Sequence, residues 1–80
     1  MPEEQLFKAE EVLPRAEIAD ALVAAAEQIE TGTVELESET ASHTVAVPES
    51  PRFEVELERL TDSETGEARY ELEYEVRWTQ

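Results

Sequence analysis

The chain has no cysteine, one histidine and two glycines, and of its six basic residues only Lys8 is a lysine. Each shortage closes a class of function. Without cysteine there is no disulfide framework and no thiolate nucleophile, which fits a cytoplasmic protein. The lone His43 follows the turn expected at Glu39-Thr40-Ala41-Ser42 and is read as an exposed imidazole, not a general base. Gly32 and Gly66 are too far apart to build a phosphate-cradling loop. No apolar run approaches the length of a membrane span. The opening Met1-Pro2-Glu3-Glu4-Gln5 carries no basic cluster and no apolar stretch follows it, so no signal peptide is expected. Six bases against 21 acids give a formal net charge of −15. Nucleic acid and anionic lipid both require Lys and Arg facing phosphates, so neither is an expected partner.

What the chain does have is order in its acids. They alternate with large apolar residues in Val34-Glu35-Leu36-Glu37, in Phe53-Glu54-Val55-Glu56-Leu57-Glu58, and in Tyr70-Glu71-Leu72-Glu73-Tyr74-Glu75-Val76-Arg77-Trp78. A period of two gives a β-sheet one apolar face and one carboxylate face from the same strands. A hydrophobic fraction of 40% suffices for folding despite the charge. Carboxylate in excess with almost no lysine is the composition of a halophilic, salt-adapted protein. At about 1 M salt the Debye length is roughly 3 Å, and a wall of Glu barely repels itself.

The 80 residues are expected to form one domain, residues 1–80, around a single core. Gln5 to Leu13 is expected as a first strand. Pro14 opens a helix at the position where its missing N–H costs nothing, and Gly32 ends it. Ile18, Leu22, Ala25 and Ile29 form its apolar stripe. Thr33 to Ser38 and His43 to Val47 form a hairpin, with Leu36 opposite Val45 and Val34 opposite Val47. Pro48-Glu49-Ser50-Pro51 is a turn, because closely spaced prolines do not fit a central ladder. Arg52 to Leu60 and Ala68 to Thr79 form the last hairpin, around Asp62-Ser63-Glu64-Thr65 and a positive φ at Gly66. That register sets Leu57 opposite Tyr70, Val55 opposite Leu72 and Phe53 opposite Tyr74. On the other face it sets Glu58 opposite Arg69, Arg52 opposite Glu75, Glu56 opposite Glu71 and Glu54 opposite Glu73. A bulge near Arg59 would restore the phase of Leu60. The expected fold is α+β, in the order β-α-β-β-β-β, with one helix packed in two layers on the apolar face of a largely antiparallel sheet.

No catalytic constellation assembles from these residues, and no enzyme activity, cofactor or specific metal site is expected. Asp62, Glu64 and Glu67 around Gly66 faintly suggest a calcium loop but lack the EF-hand spacing. A hydrolase using paired carboxylates would need a concave pocket that a flat two-layer design does not suggest. The candidate interaction face is the set Glu35, Glu37, Glu54, Glu56, Glu58, Glu71, Glu73 and Glu75. Trp78 is a candidate aromatic anchor if it stands at an edge, and a core residue closing the sheet if it does not. The expected partner is a protein whose identity the residues do not specify, with a homodimer at high salt as the first case. The alternative is an acidic nucleic-acid mimic that offers the Glu face to a basic protein.

Leu6-Phe7-Lys8, the helix opening Arg15-Ala16-Glu17, Phe53-Glu54-Val55-Glu56, and Leu72-Glu73-Tyr74-Glu75 running to Trp78 together resemble the amphi-Trp domain. The resemblance covers nearly the whole chain. It implies a small stand-alone domain, common in halophilic archaea, with amphipathic segments and a tryptophan near its end. It implies no activity and no catalytic residue.

Overall fold

A computed structural model describes residues 3–80. It contains helix α1 (Arg15–Thr31) and strands β1 (Thr33–Glu37), β2 (Ser42–Ala46), β3 (Arg52–Thr61) and β4 (Ala68–Arg77). The class is α+β. The strands pair as two antiparallel two-stranded sheets, β1 with β2 and β3 with β4. The backbone falls into two compact units, one ending at Glu49 and the other spanning Ser50–Gln80. The prolines at 48 and 51 flank the boundary, where residues 47–51 form no strand, as the turn expected there requires.

The expected first strand is not there: residues 3–14 carry no regular element. Its apolar residues come as the adjacent pairs Leu6-Phe7 and Val12-Leu13, separated by Glu10-Glu11. They therefore define no single face, and Val12 is fully exposed. Helix α1 begins one residue later than expected. Pro14 is its N-cap, offering no side-chain bond, and its carbonyl accepts the N–H groups of Glu17 (3.0 Å) and Ile18 (3.1 Å). At the other end Gly32 takes φ 93°, and its N–H donates to the carbonyls of Gln28 and Ile29, both at 3.1 Å. A left-handed residue of this kind is where a helix stops without strain only if it lacks Cβ. The turn brings β1 alongside the helix end, and the Glu35 N–H donates to the Gln28 side-chain oxygen at 2.7 Å.

Both hairpins are shifted by two residues from the expected register. In the first, Val34 faces Val45 and Leu36 faces His43. The cause is Ser38, whose N–H donates to the Ala41 carbonyl at 2.8 Å while its hydroxyl accepts from the N–H of Thr40 (3.3 Å) and of Ala41 (3.1 Å). Ser38 thus belongs to the turn, not the strand. His43 is half-buried and shares the apolar face with Leu36, whereas an exposed position was expected.

In the second hairpin Phe53 faces Val76, Val55 faces Tyr74, and Leu57 faces Leu72. Here Asp62 sets the closure. Its N–H donates to the Glu67 carbonyl and its carbonyl accepts from Gly66 N–H, both at 2.9 Å. Its carboxylate caps the turn by accepting from Glu64 N–H (2.7 Å) and Thr65 N–H (3.2 Å). Gly66, at φ 76°, therefore lies inside the loop. The ladder runs unbroken to Thr61 opposite Ala68, with no bulge at Arg59. A slip of two residues leaves every side chain on its original face, so the two-faced character of each sheet stands as read.

Nothing lies within 4 Å of where a Cβ on Gly66 would stand, so a substitution there acts on the backbone alone. Gly66→Ala is expected to lower stability by about 1 kcal/mol, and Gly66→Asn by clearly less, since Asn tolerates the left-handed region. Denaturant midpoints of the two variants check the order.

A two-faced hairpin as candidate interaction surface

The β3–β4 hairpin gathers most of the residues singled out in the sequence. Its carboxylate face carries Glu54 opposite Glu75, Glu56 opposite Glu73, and Glu58 opposite Glu71. Two such pairs were expected; the observed register makes three. It also sets Arg52 opposite Arg77, and Leu60 opposite Arg69, correcting the mixed pairs Glu58–Arg69 and Arg52–Glu75. Directly opposed like charges are destabilising in a sheet.

Arginines relieve the two ends of this double row. Arg77 reaches Glu54 at 3.1 Å and Glu75 at 2.9 Å, and so spans the pair nearest the base of the hairpin. Arg69 lies 3.5 Å from Glu71 at the other end. All these side chains are solvent-exposed, and such pairs contribute little to stability. They do neutralise charge locally. The middle pair, Glu56 and Glu73, has no arginine beside it among the described ion pairs. Glu56 is raised from its ordinary 4.5 to about 7, first by a hydrogen bond with the Glu58 side chain, then by the charge of Glu58, with Glu73 and Glu54 adding to it. Crowding by neighbouring carboxylates favours the protonated form of this group. Asp62 at the loop is held below its ordinary 3.8 by the Glu64 and Thr65 N–H groups. That is the signature of a turn cap, and it gives Asp62 a structural role in place of the faintly suggested calcium loop.

Glu35 and Glu37 are not part of this row. They lie on β1, in the other unit, opposite Thr44 and Ser42. Trp78 follows the last residue of β4, is 38% exposed, and borders an open groove with Ser50, Pro51, Arg52, Arg77 and Thr79. Among the described residues no cluster of three His, Asp or Glu side chains is placed to hold a metal ion. Nor is any described helix long and apolar enough to cross a membrane.

The opposite face of the hairpin carries Phe53, Val55 and Leu57 on β3 and Tyr70, Leu72, Tyr74 and Val76 on β4. Phe53 and Tyr74, expected directly opposite, are diagonal neighbours whose rings stack at 6.4 Å and 16°. No described side chain in the molecule is fully buried.

A single hairpin thus presents stacked aromatics on one face, a glutamate ladder on the other, and a terminal tryptophan. The family model of the Amphi-Trp domain matches residues 1–80, the whole chain. The chain belongs to the Amphi-Trp domain family. No curated protein and no solved structure matches it. The arginine clamps at Arg69 and Arg77 were missed in the sequence, because the assumed register turned Arg69 toward Glu58 and left Arg77 unassigned.

The raised Glu56 carboxyl has a definite sign in the stability of this Amphi-Trp domain. Between 4.5 and about 7 the folded state holds a proton that the unfolded state has lost. Stability from this group is therefore complete below 4.5 and is lost as pH rises through about 7. Asp62 acts oppositely: its contribution is present above 3.8 and is lost on acidification through its lower folded value. In dilute buffer, Tm is expected to rise as pH falls from 8 to 5, and Glu56→Gln is expected to flatten that rise. Thermal melts across this pH range read both effects.

Proposed function

We propose that this Amphi-Trp domain is a non-enzymatic, salt-adapted protein that works in the cytoplasm through protein–protein contact, self-association first. The observation that supports this best is the pairing of the strands. Among the described residues each of the four strands has one partner, so each sheet presents two unpaired edges. The longest unpaired edges, those of β3 and β4, run for ten residues each. Edges of that length are templates for pairing unless charge blocks them, and here the blocking charge is glutamate that salt would screen. Like-charge pairs at Glu54–Glu75, Glu56–Glu73 and Glu58–Glu71 fit the same solvent. In this reading the chain is one domain.

A second reading is supported by the ladder itself. Six glutamates stand in a double row, with successive carboxylates on a strand about 7 Å apart. An ordered array of that kind would steer a basic DNA-binding protein to the face that Glu54, Glu56, Glu58, Glu71, Glu73 and Glu75 form.

The two readings respond to salt in opposite directions. Light scattering across a KCl series from near zero to several molar is expected to show a monomer becoming a dimer, with circular dichroism reporting the fold throughout. A folded monomer at every concentration overturns self-association. Capture of a basic DNA-binding protein that weakens steeply with KCl would place mimicry first.

A further inference from the structure

We infer that a free long edge of the β3–β4 hairpin takes an extended segment of a partner protein, added as an antiparallel strand in which Lys or Arg alternates with apolar residues. This rests on the strand-edge contact proposed above and names the partner that such an edge fits when salt is low.

The first argument is availability. Among the described residues β1 and β2 are paired to each other and run for five residues apiece, while β3 and β4 run for ten. Neither short strand spans more than half of a long edge. A hairpin that joins a sheet extends it on one side only and leaves the opposite edge as it was. Residues 3–14 supply no strand. At least one ten-residue edge is therefore open wherever the first compact unit lies, and whatever covers the faces of the hairpin. Both edges offer the same groups: Glu54, Glu56 and Glu58 alternate with apolar residues on β3, and Glu71, Glu73 and Glu75 do so on β4. The chemistry of the occupant is thus the same for either.

The second argument is where the backbone points. The Asp62 N–H donates to the Glu67 carbonyl, which makes these two a hydrogen-bonded pair. Such pairs alternate along an antiparallel ladder, and this ladder is unbroken. The opposed glutamates Glu58–Glu71, Glu56–Glu73 and Glu54–Glu75 are therefore hydrogen-bonded pairs too, with their N–H and C=O groups engaged inside the hairpin. The outward groups belong to the apolar residues, Phe53, Val55 and Leu57 on β3 or Leu72, Tyr74 and Val76 on β4. An added strand bonds to these groups. It meets each glutamate at a non-hydrogen-bonded position, where Cα atoms approach to about 4.5 Å and side chains are closest.

The third argument is charge at those close positions. A base opposite a glutamate is stabilising there, and a second glutamate is destabilising. At full overlap with matched faces, a second copy sets glutamate against glutamate, which only concentrated salt relieves. A partner with a base at every second residue pairs all three. It also meets an uncompensated carboxylate at the centre of either edge: the described ion pairs reach Glu54, Glu71 and Glu75, but neither Glu56 nor Glu73. Apolar residues between the bases continue the apolar face of the sheet.

Synthetic peptides of about ten residues and equal Lys and Val content test this against the full chain. In one, Lys and Val alternate; in another they stand in blocks; a third alternates but is N-methylated at its valines. Titration calorimetry is run at the lowest KCl concentration at which circular dichroism reports the full fold. The alternating peptide is expected to bind about tenfold or more tighter than the block peptide, and methylation to abolish that advantage. Amide exchange is expected to slow at Phe53, Val55 and Leu57 if β3 is the edge used, or at Leu72, Tyr74 and Val76 if β4 is. Equal affinity for all three peptides, or exchange slowed at neither set, overturns strand addition and leaves diffuse attraction to the glutamates. If no peptide binds the folded chain, this partner is overturned, while a dimer in molar KCl keeps self-association. If there is neither peptide binding nor a dimer, the edge is overturned as a contact altogether.

Discussion

The constraint on which the rest depends is the period of two along β3 and β4. Ten residues of each strand are committed to a ladder in which alternate side chains go to opposite faces. Placing glutamate at one phase and Phe, Val, Leu or Tyr at the other forces both properties onto a sheet one residue thick. The carboxylate row cannot be diluted without losing the alternation that defines the apolar face. The apolar face cannot be widened without interrupting the carboxylates. Repulsion between Glu56 and Glu73 is therefore a consequence of how the apolar residues are arranged, not an independent feature of the surface.

Two devices hold that repulsion in check without breaking the alternation. Arg77 sits one residue beyond the last glutamate–apolar repeat and reaches back across the strands to Glu54 as well as to its near neighbour Glu75. Arg69 meets only Glu71, on its own strand, at the loop end. Between them no base stands at the carboxylate phase, and the Glu56 carboxyl instead keeps its proton up to about 7. A proton is a weaker clamp than a guanidinium because pH removes it. Salt screening acts on all three opposed pairs at once, which is why a concentrated electrolyte is the solvent in which this ladder is least strained.

Much of this was legible in the residues, and the reason lies in the arithmetic of the pleat. Helix α1 was visible from its stripe and from Gly32. The strands and the side chains on each face were visible from alternation, which any even slip preserves. Register was not, because it is decided by turn chemistry: the bonds of Ser38 and Asp62 each displace the turn by one residue from where counting placed it. A turn displaced by one residue moves the register by two; those bonds are local competitions between a side chain and the ladder, and periodicity carries no trace of them. The supposed strand at residues 5–13 failed for a related reason. Apolar content was present, but Leu6-Phe7 and Val12-Leu13 put neighbours on opposite faces, so no partner ladder could bury them together.

Screening by salt acts between molecules as it acts within the ladder. Two copies at −15 each repel as whole objects before any contact forms. In dilute solution that long-range repulsion opposes the self-association proposed above. When the Debye length falls to a few ångströms, that global charge ceases to be felt between copies just as it ceases to be felt within the ladder.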